Sequence, residues 1–94
     1  MEDNIKKLED ILESEGEAAA HDYILKTGYL QLSDGVWITT RGRLLEDWND
    51  EDEPHGEDAR SPKEDTWDIW VTTDSGDGPF PSPTVKDALH NYIY

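Results

Sequence analysis

The chain is predicted to fold as an α+β domain with an N-terminal helix or helix pair, a three-stranded, mainly antiparallel sheet and a C-terminal helix. Three observations support this prediction. Apolar residues recur at helical spacing near both ends of the chain, and an Asp–Gly dipeptide separates two segments rich in β-branched and aromatic residues. A third segment of that kind follows a long acidic stretch. Helices and strands in this order are typical of α+β domains.

The N-terminal segment has the pattern of an amphipathic helix. Its apolar residues at the spacing of one helix face are Ile5, Leu8, Ile11 and Leu12. Gly16 interrupts the pattern, and Ser14 with Glu17 forms an S-x-x-E capping box that predicts a second helix start. Gly28 is placed to end that helix. One kinked helix and two short helices fit the sequence equally well.

The next segment predicts a β-hairpin, because Asp34–Gly35 favours the positive φ angles of a two-residue turn. Such a turn pairs Ser33 with Val36. The face expected to meet the helices then carries Leu30, Leu32, Trp37 and Thr39. The opposite face carries Tyr29, Gln31, Val36 and Ile38.

The second half of the chain predicts one more strand and a last helix. Leu44 and Leu45 leave the hairpin and are expected to fold back onto the core. The third strand lies in the segment TWDIWVTT, with one face formed by Trp67, Ile69 and Val71. Residues 74–83 are rich in turn-forming residues and are predicted to be a loop. Ser82 as N-cap and Pro83 as first helical residue predict the start of the C-terminal helix.

The composition indicates one small domain of 94 residues with a formal net charge of −15, from 23 acidic and 8 basic residues. Leu, Ile, Val and Phe together number only 18, a content typical of disorder, but four Trp and four Tyr supply large buried surfaces. The absence of cysteine excludes disulfides and thiolate metal sites. No apolar run is long enough to span a membrane, so we expect a cytoplasmic protein, in a bacterial host if the gene belongs to a phage.

The negative charge is concentrated in two parts of the chain. Residues 1–20 sum to −5 and residues 46–68 sum to −9, whereas residues 21–45 sum to +1. Eight acids fall within the thirteen residues 46–58, in an exposed acidic loop predicted at about 46–65. Nucleic acid and anionic membranes would repel such a chain, whereas a basic protein surface would attract it.

The motifs for catalysis or metal binding are missing. His21, His55 and His90 lie far apart in sequence, and no nucleophile elbow, P-loop or H-E-x-x-H motif occurs. An EF-hand frame that starts at Asp47 or Asp50 lacks the glycine that the calcium loop needs at its sixth position. We therefore predict a protein that is not an enzyme and that binds no cofactor or dedicated metal ion.

The acidic residues themselves are the candidate contact residues. In the acidic loop these are Glu46, Asp47, Trp48, Asp50, Glu51, Asp52, Glu53, Glu57 and Asp58. A second set, Glu9, Glu13 and Glu17, shares a face if the first helix continues through Gly16. Trp48 is either an interface aromatic or a core residue, and either acidic set is alternatively a solvated surface.

In size, charge and lack of catalytic motifs, the chain resembles the small acidic inhibitors made by phages, among them DNA-mimic anti-restriction and anti-CRISPR proteins. The resemblance implies an inhibitor that occupies a basic, nucleic-acid-binding surface of a host complex. The same charge is compatible with an immunity protein that neutralises a basic nuclease toxin. A halophile-type acidic domain is a further alternative, against which the nearly neutral residues 21–45 argue.

Overall fold

The computed structural model describes residues 2–48, 59–75 and 78–93, and it confirms the predicted α+β class. Within these ranges the chain forms four helices and one four-stranded antiparallel sheet of order β1-β2-β3-β4. The elements are α1 (Glu2–Ser14), α2 (Glu17–Thr27), β1 (Leu30–Ser33), β2 (Val36–Thr40), α3 (Arg41–Asp47), β3 (Ile69–Thr73), β4 (Phe80–Ser82) and α4 (Val85–Tyr92). In the described ranges every helix is too short or too polar to cross a membrane.

The main core lies between one face of the sheet and the helices α1, α2 and α4. Its buried residues are Leu8, Ile11, Ala20, Ile24, Leu30, Leu32, Ile38, Ile69, Val71, Val85, Ala88 and Leu89. The N-terminal segment forms two helices rather than one, because Gly16 has φ 101° and ends the first helix pattern. Gly28, with φ 91°, ends α2 as predicted. The predicted capping box does not form, since the Ser14 hydroxyl donates to the Asp10 carbonyl instead.

The hairpin has a register different from the predicted one. Ser33 pairs with Val36 as expected, but the register shifts between Gln31 and Ser33, so Leu30 pairs with Ile38. One extra residue in β1 exchanges the faces of β2, because side chains alternate along a strand. Ile38 is therefore fully buried in the main core, and the prediction that Trp37 and Thr39 meet the helices is wrong.

The prediction of three strands is wrong, because Phe80–Ser82 adds β4 as the fourth. Its prolines suggested a loop, since proline cannot donate to a sheet, but β4 is an edge strand, where proline is tolerated. Pro81 pairs with Trp70 across the β3–β4 ladder. The Phe80 ring stacks on Tyr92 of α4 with ring centroids 5.3 Å apart, which ties the edge strand to the last helix.

The start of α4 also differs from the prediction. Ser82 belongs to β4, is fully buried, and lies opposite Ile69, so it does not cap the helix. Thr84 is the N-cap, and its hydroxyl accepts a hydrogen bond from the Asp87 amide at 3.1 Å. Pairing with β3 holds the chain extended through Ser82 and moves the helix start two residues later.

A second buried layer lies on the sheet face away from the main core. Trp70 alternates with Ile69 and Val71 along β3 and is completely buried, and α3 packs against β2 and β3. Leu44 of α3 is buried as well, in line with the prediction that it folds back. Helix α3 was not predicted as a helix; the Thr40 hydroxyl caps it by accepting from the Arg43 amide at 3.3 Å.

Candidate functional site

The predicted acidic loop, about residues 46–65, is called the acidic stretch below. Its first described residues lie at the end of α3. Glu46 and Asp47 form the last turn of this helix, and both are exposed. The Arg43 guanidinium lies 3.6 Å from a carboxylate oxygen of Glu46 and 3.7 Å from one of Asp47. Residues three and four apart lie on the same side of a helix, so Arg43 can contact both carboxylates. It thereby neutralises part of the charge at the start of the acidic stretch.

Tyr29 joins this cluster from the start of the hairpin. Its hydroxyl donates a hydrogen bond to the Asp47 carboxylate, and the Arg43 guanidinium lies 6.0 Å from the centre of its ring. Burial, followed by the hydrogen bond to Asp47 and the charge of that carboxylate, raises the pKa of Tyr29 from 10.0 to about 12. The contact fixes the end of α3, and so the point at which the acidic stretch leaves the fold.

Tyr29 is expected to ionise later than an ordinary tyrosine in a spectrophotometric titration. Because its pKa is raised in the folded protein, the stabilisation it contributes is complete below pH 10.0 and is lost as the pH rises towards about 12. Subtracting the titration of Tyr29→Phe isolates the Tyr29 phenolate, and Asp47→Asn should lower its midpoint. A Tyr29 midpoint unaffected by Asp47→Asn would contradict the hydrogen bond.

Arg41 holds the returning end of the acidic stretch. Its Nε donates to the backbone carbonyls of Pro62 and Asp65, at 2.8 and 2.7 Å, and its amide donates to the carbonyl of Asp68 at 2.7 Å. Two arginines near the start of α3 thus contact the two ends of the stretch: Arg43 contacts its first residues and Arg41 its last. The predicted contact residues Asp50, Glu51, Asp52, Glu53, Glu57 and Asp58 lie outside the described residues.

The tryptophans near the acidic stretch differ in exposure. Trp48 is half-buried at the C-cap of α3, where its amide donates to the Leu45 carbonyl, and its role in partner binding stays a prediction. Trp67 was predicted to share one face of the third strand with Ile69 and Val71, but it precedes β3 and is 46% exposed. Its carbonyl accepts from Trp70 Nε1 at 2.6 Å, which fixes its backbone. The alternation of side chains in the sequence did not reveal this exposed tryptophan, because β3 starts two residues after it.

The second predicted set of acids is divided between two helices. Glu9 and Glu13 are exposed on α1, whereas Glu17 begins α2 beyond the break at Gly16. The condition for a shared face, one continuous helix through Gly16, is not met. The role of these acids in partner binding stays a prediction.

Glu17 has a structural role that its position in the sequence does not reveal. Its carboxylate accepts hydrogen bonds from the backbone amides of Val85 and Lys86, at 2.6 and 3.1 Å, at the N-terminus of α4. A carboxylate is favoured at this end of a helix by the free amides and by the helix dipole. Glu17 therefore joins the start of α2 to the start of α4.

Glu17→Ala is expected to lower the free energy of unfolding by about 1–2 kcal/mol, because two amides of α4 lose a charged acceptor. Glu15→Ala is the matched control, because Glu15 is exposed and its substitution removes the same charge. This variant should change the free energy of unfolding by no more than about 0.5 kcal/mol. Urea unfolding followed by circular dichroism measures both. Equal stabilities for the two variants would argue against the capping role of Glu17.

A groove of about 390 Å³ lies between α1 and α4. Its lining residues are Glu9, Leu12, Glu13, Lys86, Leu89 and His90. The described residues contain no cluster of three or more His, Asp or Glu side chains that could hold a metal ion. The groove and the arginine-held base of the acidic stretch carry described acids that were predicted as contact residues, Glu9 and Glu13 in the first and Glu46 and Asp47 in the second.

Comparison with protein-family models, with curated proteins and with solved structures finds no match to this chain.

Proposed function

We propose that the protein is an acidic inhibitor that binds a basic, nucleic-acid-binding surface of a partner protein or complex. The proposal extends to a phage protein that acts against a bacterial defence complex of the anti-CRISPR or anti-restriction type, with carboxylates standing in for nucleic-acid phosphates. Its partner is a protein, and the acidic surface makes the contact.

The observation that carries this proposal is the use of the chain's own arginines. Arg41 and Arg43 are the local basic spot of the nearly neutral part of the chain, and both are bound within the fold. Arg43 pairs with two carboxylates at the start of the acidic stretch, and the Arg41 Nε donates to two backbone carbonyls at its end. The surface offered to a partner is therefore dominated by carboxylates, in a chain whose formal net charge is −15.

The arrangement also supports fast, salt-sensitive association. A concentrated charge raises association rates by about 10–10³-fold through electrostatic steering. Arg41 and Arg43 contact the described residues at the two ends of the acidic stretch, so the stretch leaves and rejoins the fold beside α3. Acids placed on an ordered helix, such as Glu9 and Glu13, add to the same field.

A capture experiment with the full chain tests the proposal. Immobilised protein is exposed to bacterial lysate at about 0.1 M and about 1 M salt, where the Debye length falls from roughly 10 Å to 3 Å. We expect a stoichiometric basic partner that is retained only at the lower salt and is released when DNA or RNA is added. A nuclease toxin as that partner would instead favour the immunity-protein alternative.

The result that overturns the proposal is equally specific. A captured protein that still binds nucleic acid while held would show that its nucleic-acid-binding surface is not occupied. Recovery of no salt-sensitive partner would reject the inhibitor. Folding that requires molar salt, measured by circular dichroism, would favour the halophile-type alternative instead.

A further inference from the structure

The groove between α1 and α4 is built by the same residue pattern on both helices. Glu9, Leu12 and Glu13 stand at positions i, i+3 and i+4 of α1. Lys86, Leu89 and His90 stand at the same spacing on α4. Residues at this spacing share one helix face, so each helix presents a leucine flanked by two polar side chains. The groove therefore has an apolar floor and polar rims.

The two rims differ in charge. Glu9 and Glu13 form an acidic rim on α1, and Lys86 and His90 form the rim on α4. Leu89 is 2% exposed and Leu12 is half-buried, so the floor belongs to the packed fold and keeps its shape without an occupant. A ligand that pairs with carboxylates must place its positive charge towards α1, because Lys86 repels it on the other side.

We propose that this groove is a docking site for a basic amphipathic helix of a partner protein. An apolar side chain of that helix packs against the exposed part of Leu12, above the buried Leu89, and an arginine or lysine one turn away pairs with Glu13. The proposal rests on the proposed function in one respect, since it assigns part of the contact with the basic partner to this groove.

Charge and shape together favour this occupant. The exposed side of α1 also carries Asp10, and the chain's formal net charge of −15 attracts a positively charged helix to it. The groove lies between two helices and its polar lining residues Glu9, Glu13, Lys86 and His90 are exposed, as helix-in-groove recognition requires. An occupant without an apolar side chain would leave the exposed part of Leu12 uncovered, and an acidic one would be repelled by α1.

The test uses defined helical peptides, acetylated and amidated, that are titrated into the labelled full chain. The first peptide carries leucines at i, i+3, i+4 and i+7 with arginine and alanine elsewhere, and the second replaces those leucines with serine. Backbone amide shifts are recorded at about 0.15 M ionic strength, where the Debye length is about 8 Å and distant charges are screened. We expect the largest shifts at Leu12, Glu13, Leu89 and His90 with the first peptide, and not with the second.

Single charge substitutions test whether the charged side chains of the groove contact the peptide. Glu13→Lys should weaken binding of the leucine–arginine peptide about three- to tenfold, because a carboxylate partner becomes a repelling charge. The matched control is Glu15→Lys, which makes the same charge change just after α1, in a pocket lined by residues of α1 and α2, and it should weaken binding less than about twofold. Lys86→Glu should strengthen binding about two- to fivefold, since it removes the repelling charge. Unchanged amide spectra away from the groove verify the fold of each variant.

Two results would overturn the docking site. Equal weakening by Glu13→Lys and Glu15→Lys would show that net charge alone governs binding. Equal binding of the serine peptide would show that the apolar floor is not used. Both results leave the acidic inhibitor standing, since it requires charge alone, whereas a failed capture experiment with peptide binding intact would reject the inhibitor and keep the groove.

Discussion

Trp70→Ala is expected to destabilise the protein by about 3–5 kcal/mol, a large part of the roughly 5–15 kcal/mol that stabilises a typical domain. Trp70 is completely buried on the sheet face away from the main core. Its indole Nε1 donates to the Trp67 carbonyl at 2.6 Å, and it pairs with Thr39 and Pro81 on the neighbouring strands. The substitution leaves a large cavity between the sheet and α3.

Trp67→Ala is the matched control for this prediction. It removes the same side chain from a position that is 46% exposed, and it leaves the Trp67 carbonyl that Trp70 uses. We expect it to cost well under half as much as Trp70→Ala, because its surface is only partly removed from water. Urea unfolding followed by far-ultraviolet circular dichroism measures both. A cost for Trp70→Ala no greater than for Trp67→Ala would show that the second layer contributes little.

The parts of the fold that the sequence predicts correctly are those with local signals. The amphipathic spacing predicts the helices at both ends, and Asp34–Gly35 predicts the turn with Ser33 opposite Val36. Ile69 and Val71 take the core face of their strand as alternation requires. These features depend on neighbours within a few residues, so they can be seen without the tertiary structure.

The errors arise where a distant contact decides the outcome. The extra residue in β1 exchanges the faces of β2, and no residue type in that segment marks such a bulge. Strand β4 forms because β3 offers an edge that tolerates proline, although its own sequence is typical of a loop. Ser82 is drawn into that strand, which moves the helix cap to Thr84.

The same distinction applies to the candidate site. Arg43 pairs with carboxylates only three and four residues away, on the same helix. Arg41 instead bonds backbone carbonyls more than twenty residues along the chain. Glu17 binds the amide of Val85, which lies 68 residues further along the chain. Because the sequence does not show this contact, the spacing of the acids groups Glu17 with Glu9 and Glu13 as a contact residue. Acid spacing therefore identifies where charge is concentrated but not which carboxylates serve the fold.

Reversing Asp50, Glu51, Asp52 and Glu53 to lysine is expected to have the largest effect on partner binding. Each reversal adds two charges, so the formal net charge moves from −15 to −7. If the acidic stretch makes the contact, association at low salt should slow by about tenfold or more, because steering depends on local charge. At about 1 M salt, where the Debye length is roughly 3 Å, the difference should largely disappear.

The control for this reversal makes the same charge change elsewhere on the surface. Its substituted residues are exposed acids outside residues 46–68, namely Asp3, Asp10, Glu15 and Asp22. Both variants reach the same net charge, so a larger effect of the first on the association rate, measured against the captured partner by surface plasmon resonance, assigns the contact to the acidic stretch. Both should unfold at similar urea concentrations, because surface substitutions rarely change stability strongly. If reversing Asp50, Glu51, Asp52 and Glu53 leaves partner binding unchanged, the acidic stretch is not the contact, and the acids of α1 become the residues to test next.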